Sequence, residues 1–229
     1  MSTYNNIVKQ LSILHGSFDE ELVEQNLSVK YIKPDDHVLE IGGNMGRNAL
    51  IISSILNNEK NFVTMEPNFH FYEKLKENRD VNKKTFNIEN SALSTTPILF
   101  HNSLTVSLNN IEDKFPLSKD HLINNKNSLN ECTIITYLEL ENKYNLSFNT
   151  LVIDCEGAFY YILKDMPYIL SKINLLIMEN DYENKTHYDF IRTTLLQNNF
   201  TCVESLPLPG CPWPAPCKDN FYEVWKLNT

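Results

Sequence analysis

Eleven residues constrain this chain more than any others: Val38-Leu39-Glu40-Ile41-Gly42-Gly43-Asn44-Met45-Gly46-Arg47-Asn48. The apolar run, bounded upstream by Pro34-Asp35-Asp36, reads as a buried strand. Three glycines follow, and residues 48–58 (NALIISSILNN) then carry the broad apolar face of a helix. Strand, glycine turn and helix open a βα unit, whose ligands sit at the carboxyl end of the strand. Such a turn commonly holds a phosphate at the helix N-terminus, in the spacing Gly-x-Gly-x-x-Gly. Here the spacing differs and Glu40 closes the strand. A carboxylate at that point repels a pyrophosphate. It suits a ligand with a cationic group and no phosphate.

The rest of the chain repeats the alternation. Strands are expected at 37–42, 61–67, within 84–93, and at 150–157, 173–181, 200–206 and 220–227. Helices are expected at 48–58, 69–82, 158–166 (ended by Pro167) and 186–199. Residues 96–110 read as a hairpin or irregular insert. Strands separated by helices predict an α/β fold of Rossmann-like type. Its sheet would be mainly parallel and seven-stranded, with helices on both faces. One domain over 34–229, preceded by a helical N-terminal extension over 1–33, is the simplest organisation.

Composition narrows the partners. A net charge of −9 over 229 residues argues against a nucleic-acid backbone. No apolar run reaches the roughly 18 residues of a membrane span. The first residues lack the basic start and apolar block of a signal peptide. A cytoplasmic location is expected, the host cytoplasm if the source is viral. The five cysteines (132, 155, 202, 211 and 217) include no CxxC pair and imply neither zinc nor a redox motif. No disulfide is expected between Cys211 and Cys217, and the sequons at Asn26, Asn145 and Asn184 then carry little meaning. The six histidines form no metal-binding spacing; only His187, shortly after the fifth core strand, is a candidate near a site.

The second strand ends in Glu66, where a carboxylate can hold both hydroxyls of a ribose. Dinucleotide sites share that feature, so Glu40 is the discriminating residue. Together the two acids point to S-adenosylmethionine, which carries a sulfonium and an ammonium but no phosphate. At this point the sequence resembles class I S-adenosylmethionine-dependent methyltransferases, and within them the FkbM family. Glu40 to Gly46 matches that family's acid-x-Gly-Ala-Asn-x-Gly, with Gly43 in place of Ala. Ile153-Asp154-Cys155-Glu156-Gly157-Ala158-Phe159 follows its I-D-x-E-G-x-E up to Ala158. Phe159 departs from it, as does Val152, where Lys is common. Residues 90–94 (NSALS) and 175–181 (LLIMEND) resemble two further segments. The likeness spans roughly 36–182. It implies that Glu40, Gly42, Asn44 and Gly46 surround the methionine moiety, that Glu66 holds the ribose, and that Ser91 and Ala92 border the adenine.

Methyl transfer to an alcohol needs an in-line oxygen and a proton acceptor. Asp154 at the fourth strand end is the candidate base, or a holder of the cofactor ammonium. Glu179 closes the fifth strand, and His187 is the second candidate base. Asp154 with Glu179 and Asn180, or Asp181, also offers the hard oxygen ligands of Mg²⁺ or Mn²⁺. The Asn/Asp-Pro-Pro-aromatic signature of many amino-methyltransferases is missing after the fourth strand. Tyr160-x-x-x-Lys164 with Ser147 mimics a short-chain dehydrogenase triad without that family's glycine turn. Trp213, in the proline-rich stretch 207–217, is either a sugar-stacking plate or part of a packed surface loop. The expected function is O-methylation of a hydroxyl on a sugar, a deoxyhexose of rhamnose or fucose type in a glycan being the candidate from the family likeness. The acceptor would then be a small molecule or a glycan. The alternatives are a non-sugar natural product as acceptor, or a non-catalytic module that binds S-adenosylmethionine.

Overall fold

The computed structural model describes residues 3–101, 104–107, 130–182 and 184–228. Four strands form its centre: β1 (Val38–Ile41), β2 (Phe62–Met65), β9 (Thr150–Ile153) and β10 (Leu175–Glu179). Every residue in them is buried. They run parallel, and parallel strands covered on both faces read as continuous apolar segments. Short β3 (Asn87–Glu89) extends one edge. At the other edge β12 (Tyr222–Leu227) runs antiparallel to β10 and to β11 (Phe200–Leu206). The order β11-β12-β10-β9-β1-β2-β3 gives the expected mainly parallel sheet of seven strands.

Helices α1 (Thr3–Val8), α2 (Leu22–Tyr31), α3 (Arg47–Ile55), α4 (Phe69–Val81), α5 (Tyr137–Tyr144), α6 (Phe159–Asp165) and α7 (Lys185–Gln197) flank it. Side-chain alternation divides the interior in two. Leu39, Ile41, Val63, Met65, Leu151 and Ile153 enter one apolar cluster, shared with α5, α6 and α7. Val38, Phe62, Val152, Leu175 and Ile177 enter the other, shared with α2 and α3. Tyr4, Phe18, Leu27 and Ile32 belong to this second cluster, so the N-terminal extension is part of the core. The Tyr4 hydroxyl of α1 donates to Gln25 Oε1 of α2 (3.0 Å) and ties the two helices together.

The segment 84–93 holds the expected third strand, β3; after it the chain turns at Asn90, and β4 (Ala92–Leu93) pairs with β8 (Ile134–Ile135). The Asn90 amide donates to the carbonyls of Glu66 (2.8 Å) and Pro67 (3.2 Å), which fixes that turn. In the stretch 96–110, β5 (Ile98–His101) pairs antiparallel with β6 (Leu104–Ser107), as the hairpin reading expects, and β5 also pairs with β7 (Asn130–Cys132); residues 102–103 and 108–110 lie outside the described residues. Helix α5 has no counterpart in the sequence expectations. Its signal is a capping box, with Thr136 and Glu139 bonding each other's backbone N–H. The described cysteines form no disulfide with one another. Trp213 is half-buried and packs against both apolar clusters.

Strand order reverses between β1 and β9, and the chains meet there without a gap. Gly42 has φ +98°, and a Cβ on it would lie 1.6 Å from the Asp154 carbonyl oxygen. Gly42→Ala is therefore expected to prevent folding or to cost more than about 4 kcal/mol in urea unfolding. Gly210→Ala, at φ +81° with nothing within 4 Å, is the control at about 1–2 kcal/mol. Equal losses at the two positions would refute the close contact.

Candidate functional site

The reversal point opens into a cleft of about 220 Å³ at the carboxyl ends of β1, β2 and β9. Its wall begins with the glycine turn. The Gly42 and Gly43 amides both donate to the Met65 carbonyl (3.0 and 2.8 Å), which stitches the turn to the end of β2. Asn44 takes φ +46°, a left-handed conformation that Asn tolerates better than most residues. Its backbone N–H, so oriented, donates to Glu66 Oε2 (2.8 Å), and the Asn68 N–H donates to Glu66 Oε1 (2.8 Å). The Glu66 carboxylate is thus held by one backbone donor on each oxygen and borders the cleft. Burial pushes it up to about 7, against the pull of those two donors.

Ser91 and Ala92 form the next part of the wall. Ser91 donates to Glu89 Oε1 (2.9 Å), and Glu89 is in turn bound by Lys143 and Tyr144 of α5. Phe71 of α4 and Ile162 of α6 supply apolar surface, and Asp154 and Glu156 close the far side. Five of the expected cofactor residues outside the metal set therefore border one cleft: Gly42, Asn44, Glu66, Ser91 and Ala92. Asp154 faces them. The Asn44 Oδ1 is buried with no partner in the protein.

Glu40 and Gly46 lie elsewhere. Gly46 caps α3 and packs on Leu75. Glu40 alternates with Ile41, so it points to the opposite face of the sheet. There it is 2% exposed and accepts a hydrogen bond from Thr64 Oγ1 (2.5 Å), its register partner on β2. Burial pushes its carboxyl up to about 7, although Thr64 and Asn48 bond the charged form. The carboxylate read as facing the ligand supports the turn from behind.

Glu179 emerges on that same opposite face, with Leu175 and Ile177. It is 8% exposed, and its Oε1 has no hydrogen-bond partner. Burial first, then the nearby Asp154, holds its carboxyl well above the usual range. Asn180 does not join it. The Asn180 side-chain amide donates to the Asn220 carbonyl (2.5 Å), and Asp181 is the third member of the carboxylate group instead. His187 stacks on Tyr160, with ring centroids 3.7 Å apart and planes 8° from parallel, and does not border the cleft. Ser147 contacts His37 just before β1, at the end of the strands opposite to Tyr160, which disposes of the dehydrogenase-like triad.

Sequence reasoning missed the contribution of α2. Glu24 is 3% exposed, accepts from Asn48 Nδ2 (3.1 Å), and lies with Glu21 within ligand distance of Asp154. Arg47, at the start of α3, pairs with Glu20 (2.6 Å) and Glu21 (2.5 Å). No local pattern in residues 20–25 announces this, because only the docking of α2 on α3 brings them to the strand ends.

No family model matches the chain, and no curated protein matches it. Solved structures do. A proposed O-methyltransferase from Klebsiella pneumoniae superposes with a TM-score of 0.51 at 12% identity, over 99% of this chain and 90% of that one. A proposed tRNA (m1A22) methyltransferase from Streptococcus pneumoniae, solved in complex with S-adenosyl-L-methionine, does so at 0.50 and 13%, over 90% and 73%. The ribosomal protein L11 methylase from Lactobacillus delbrueckii subsp. bulgaricus does so at 0.50 and 11%, over 94% and 82%. At these identities the likeness is one of fold. The chain has the Rossmann-like architecture of class I S-adenosylmethionine-dependent methyltransferases.

Glu40 gives a test of this electrostatic arrangement. Its folded carboxyl is raised, so its contribution to stability is complete below about 4.5 and is lost as pH rises through about 7. Glu40→Gln should therefore gain on the parent between pH 5 and pH 8 by about 1–3 kcal/mol in chelator-treated, ligand-free protein. A pH-independent difference would show that the native carboxylate ionises without cost.

Proposed function

We propose that the chain is an S-adenosylmethionine-dependent O-methyltransferase. The observation that carries this reading is the Glu66 carboxylate, fixed at the end of β2 by two backbone donors and bordering a cleft whose other walls are glycine turn, Ser91 and Asp154. Each Glu66 oxygen uses one lone pair on the backbone and keeps another for a ribose hydroxyl. Asp154 and Glu156 on the opposite wall favour a ligand with positive charge over a pyrophosphate. The orphaned Asn44 Oδ1 fits the same ligand, as an acceptor for its ammonium group.

Bound S-adenosylmethionine would supply an electrophilic methyl group. The chain's own part is to hold the nucleoside, to orient the acceptor oxygen and to take its proton. Asp154 is the proposed base: burial, then Glu24, holds its carboxyl well above the usual range, so it accepts a proton readily. His187 is the second candidate, from the Tyr160 stack. The proposed acceptor is a sugar hydroxyl, with a deoxyhexose of a glycan as the specific candidate. This rests on the FkbM-like segments Glu40–Gly46 and Ile153–Phe159. No helix among the described residues is long and apolar enough to cross a membrane, and we place the reaction in the cytoplasm.

Calorimetry with S-adenosylhomocysteine on chelator-treated protein tests the reading. Micromolar binding is expected, weakened about 10- to 100-fold by Glu66→Ala. A ribose is held best by the ionised carboxylate, so affinity should fall several-fold from pH 8 to pH 6, through the value near 7 at Glu66. Glu66→Gln should remove that pH dependence. Absence of binding at millimolar ligand would overturn the assignment.

A further inference from the structure

The side chain of Asn78, on α4, is completely buried, and all of its polar capacity is used. Oδ1 accepts from the backbone N–H groups of Leu14 (2.7 Å) and His15 (3.1 Å). Nδ2 donates to the His15 carbonyl (2.9 Å) and to the Met45 carbonyl (2.8 Å). Two donors and two lone pairs are what an amide side chain offers, so these partners fix its orientation. The bond to Met45 is not needed to hold the N-terminal segment on α4. Asn82 already does that one turn further on, accepting from the Ser12 N–H (2.7 Å) and donating to the Ser12 carbonyl (2.6 Å). The bond to Met45 reaches the glycine turn instead.

Helix α4 comes that close because two residues of the turn lack side chains. A Cβ on Gly43 would lie 2.8 Å from Leu75 Cδ1, and one on Gly46 3.0 Å from Leu75 Cγ. Leu75 lies three residues before Asn78, on the same helix face. From Met45 a series of hydrogen bonds leads into the cleft. The Met45 carbonyl and the Gly46 N–H belong to one peptide plane, and the Gly46 N–H donates to the Gly43 carbonyl (2.7 Å). The Gly43 carbonyl and the Asn44 N–H belong to a second plane, and the Asn44 N–H donates to Glu66 Oε2 (2.8 Å). Two rigid planes thus join Asn78 to the carboxylate that borders the cleft. Hydrogen bonds in such a series polarise one another in the same sense. Turning either plane misdirects the donor at Glu66.

We propose that Asn78 is a positioning residue for the cleft: it holds the two peptide planes of the glycine turn so that the Asn44 N–H meets Glu66, and it ties that aim to Leu14 and His15 of the N-terminal segment. Its bearing on nucleoside binding rests on the methyltransferase reading; the relay to Glu66 does not.

The test follows the Glu66 carboxyl in ligand-free protein by carbon-13 NMR, its signal assigned with Glu66→Gln. In the parent it titrates at about 7. Glu40 and Cys132 lie within electrostatic reach of it, and the His15–Glu77 pair lies at the other end of the relay. Glu40 also titrates at about 7, and its signal, assigned with Glu40→Gln, is the internal reference. Asn78→Ala removes the first donor of the relay. It should raise the Glu66 midpoint by about half a pH unit or more and leave Glu40 in place, since a carboxylate that loses a well-aimed donor holds its charge less well. Asn82→Ala loosens the same segment without touching the turn and should leave Glu66 within about 0.2 of the parent. Affinity for S-adenosylhomocysteine at pH 7 should fall about 5- to 20-fold in Asn78→Ala and less than about twofold in Asn82→Ala. A Glu66 midpoint unchanged in folded Asn78→Ala, or raised as much by Asn82→Ala, would overturn the proposal. A parent that ignores S-adenosylhomocysteine while Asn78→Ala still moves Glu66 keeps the relay and removes the methyltransferase reading. If Asn78→Ala does not fold, the parent decides. Ionising Glu66 should move the Asn44, Gly46 and Asn78 side-chain N–H resonances with one midpoint, and Glu66→Gln should abolish all three responses. A response confined to Asn44 would refute the relay.

Discussion

The structure depends on a contact that leaves no room for a side chain. Where β1 ends beside β9, the backbone of Gly42 lies against the carbonyl of Asp154. Parallel strands at a reversal of strand order normally diverge into a crevice. Here the closest point of that crevice is fixed backbone to backbone. The glycine turn, the start of α3 and the Asp154 carboxyl are therefore set relative to one another before any ligand arrives. A side chain at position 42 would separate β1 from β9 and spread the cleft with them.

Around that point the sheet acts as a partition. On one face the ends of β1, β2 and β9 border a cleft with apolar walls and one well-held carboxylate, Glu66. On the other face lie Glu40, Glu179 and, from α2, Glu24, all nearly buried. Asp154 stands at the crest and belongs to both. Its carboxyl is raised by burial and by Glu24 across the partition, so the two faces are electrostatically coupled through a single residue. Charge added or removed behind the sheet changes the basicity offered to the cleft.

The βα unit was legible because its signals are local: an apolar run, glycines, then helical periodicity. The cleft residues Glu66, Ser91, Ala92 and Asp154 were legible for the same reason, since strand ends in this architecture converge. Glu40 and Glu179 do not line the cleft, and strand alternation already separates Glu40 from Ile41. Asn180 could not be read, because its amide is claimed by Asn220, forty residues away in sequence. Glu24 could not be read either, because the docking of α2 is a tertiary event. The turn after the third strand lies between these cases. Asn90 is a turn-former by type, yet its partners, the Glu66 and Pro67 carbonyls, come from the loop after β2.

The second apolar cluster joins the two ends of the described chain. Tyr4, Phe18 and Leu27 share it with Phe221, Tyr222 and Val224. During synthesis the extension leaves the ribosome before the sheet, but the surface that covers it is not complete until β12 has emerged. For most of translation α2 and its acidic residues must wait, partly unsheltered, for partners some two hundred residues downstream. Contacts of such long sequence separation slow the final closure of a fold. The side of the sheet that carries Glu24 is thus among the last parts of the molecule to be finished, after the cleft on the opposite side has its walls.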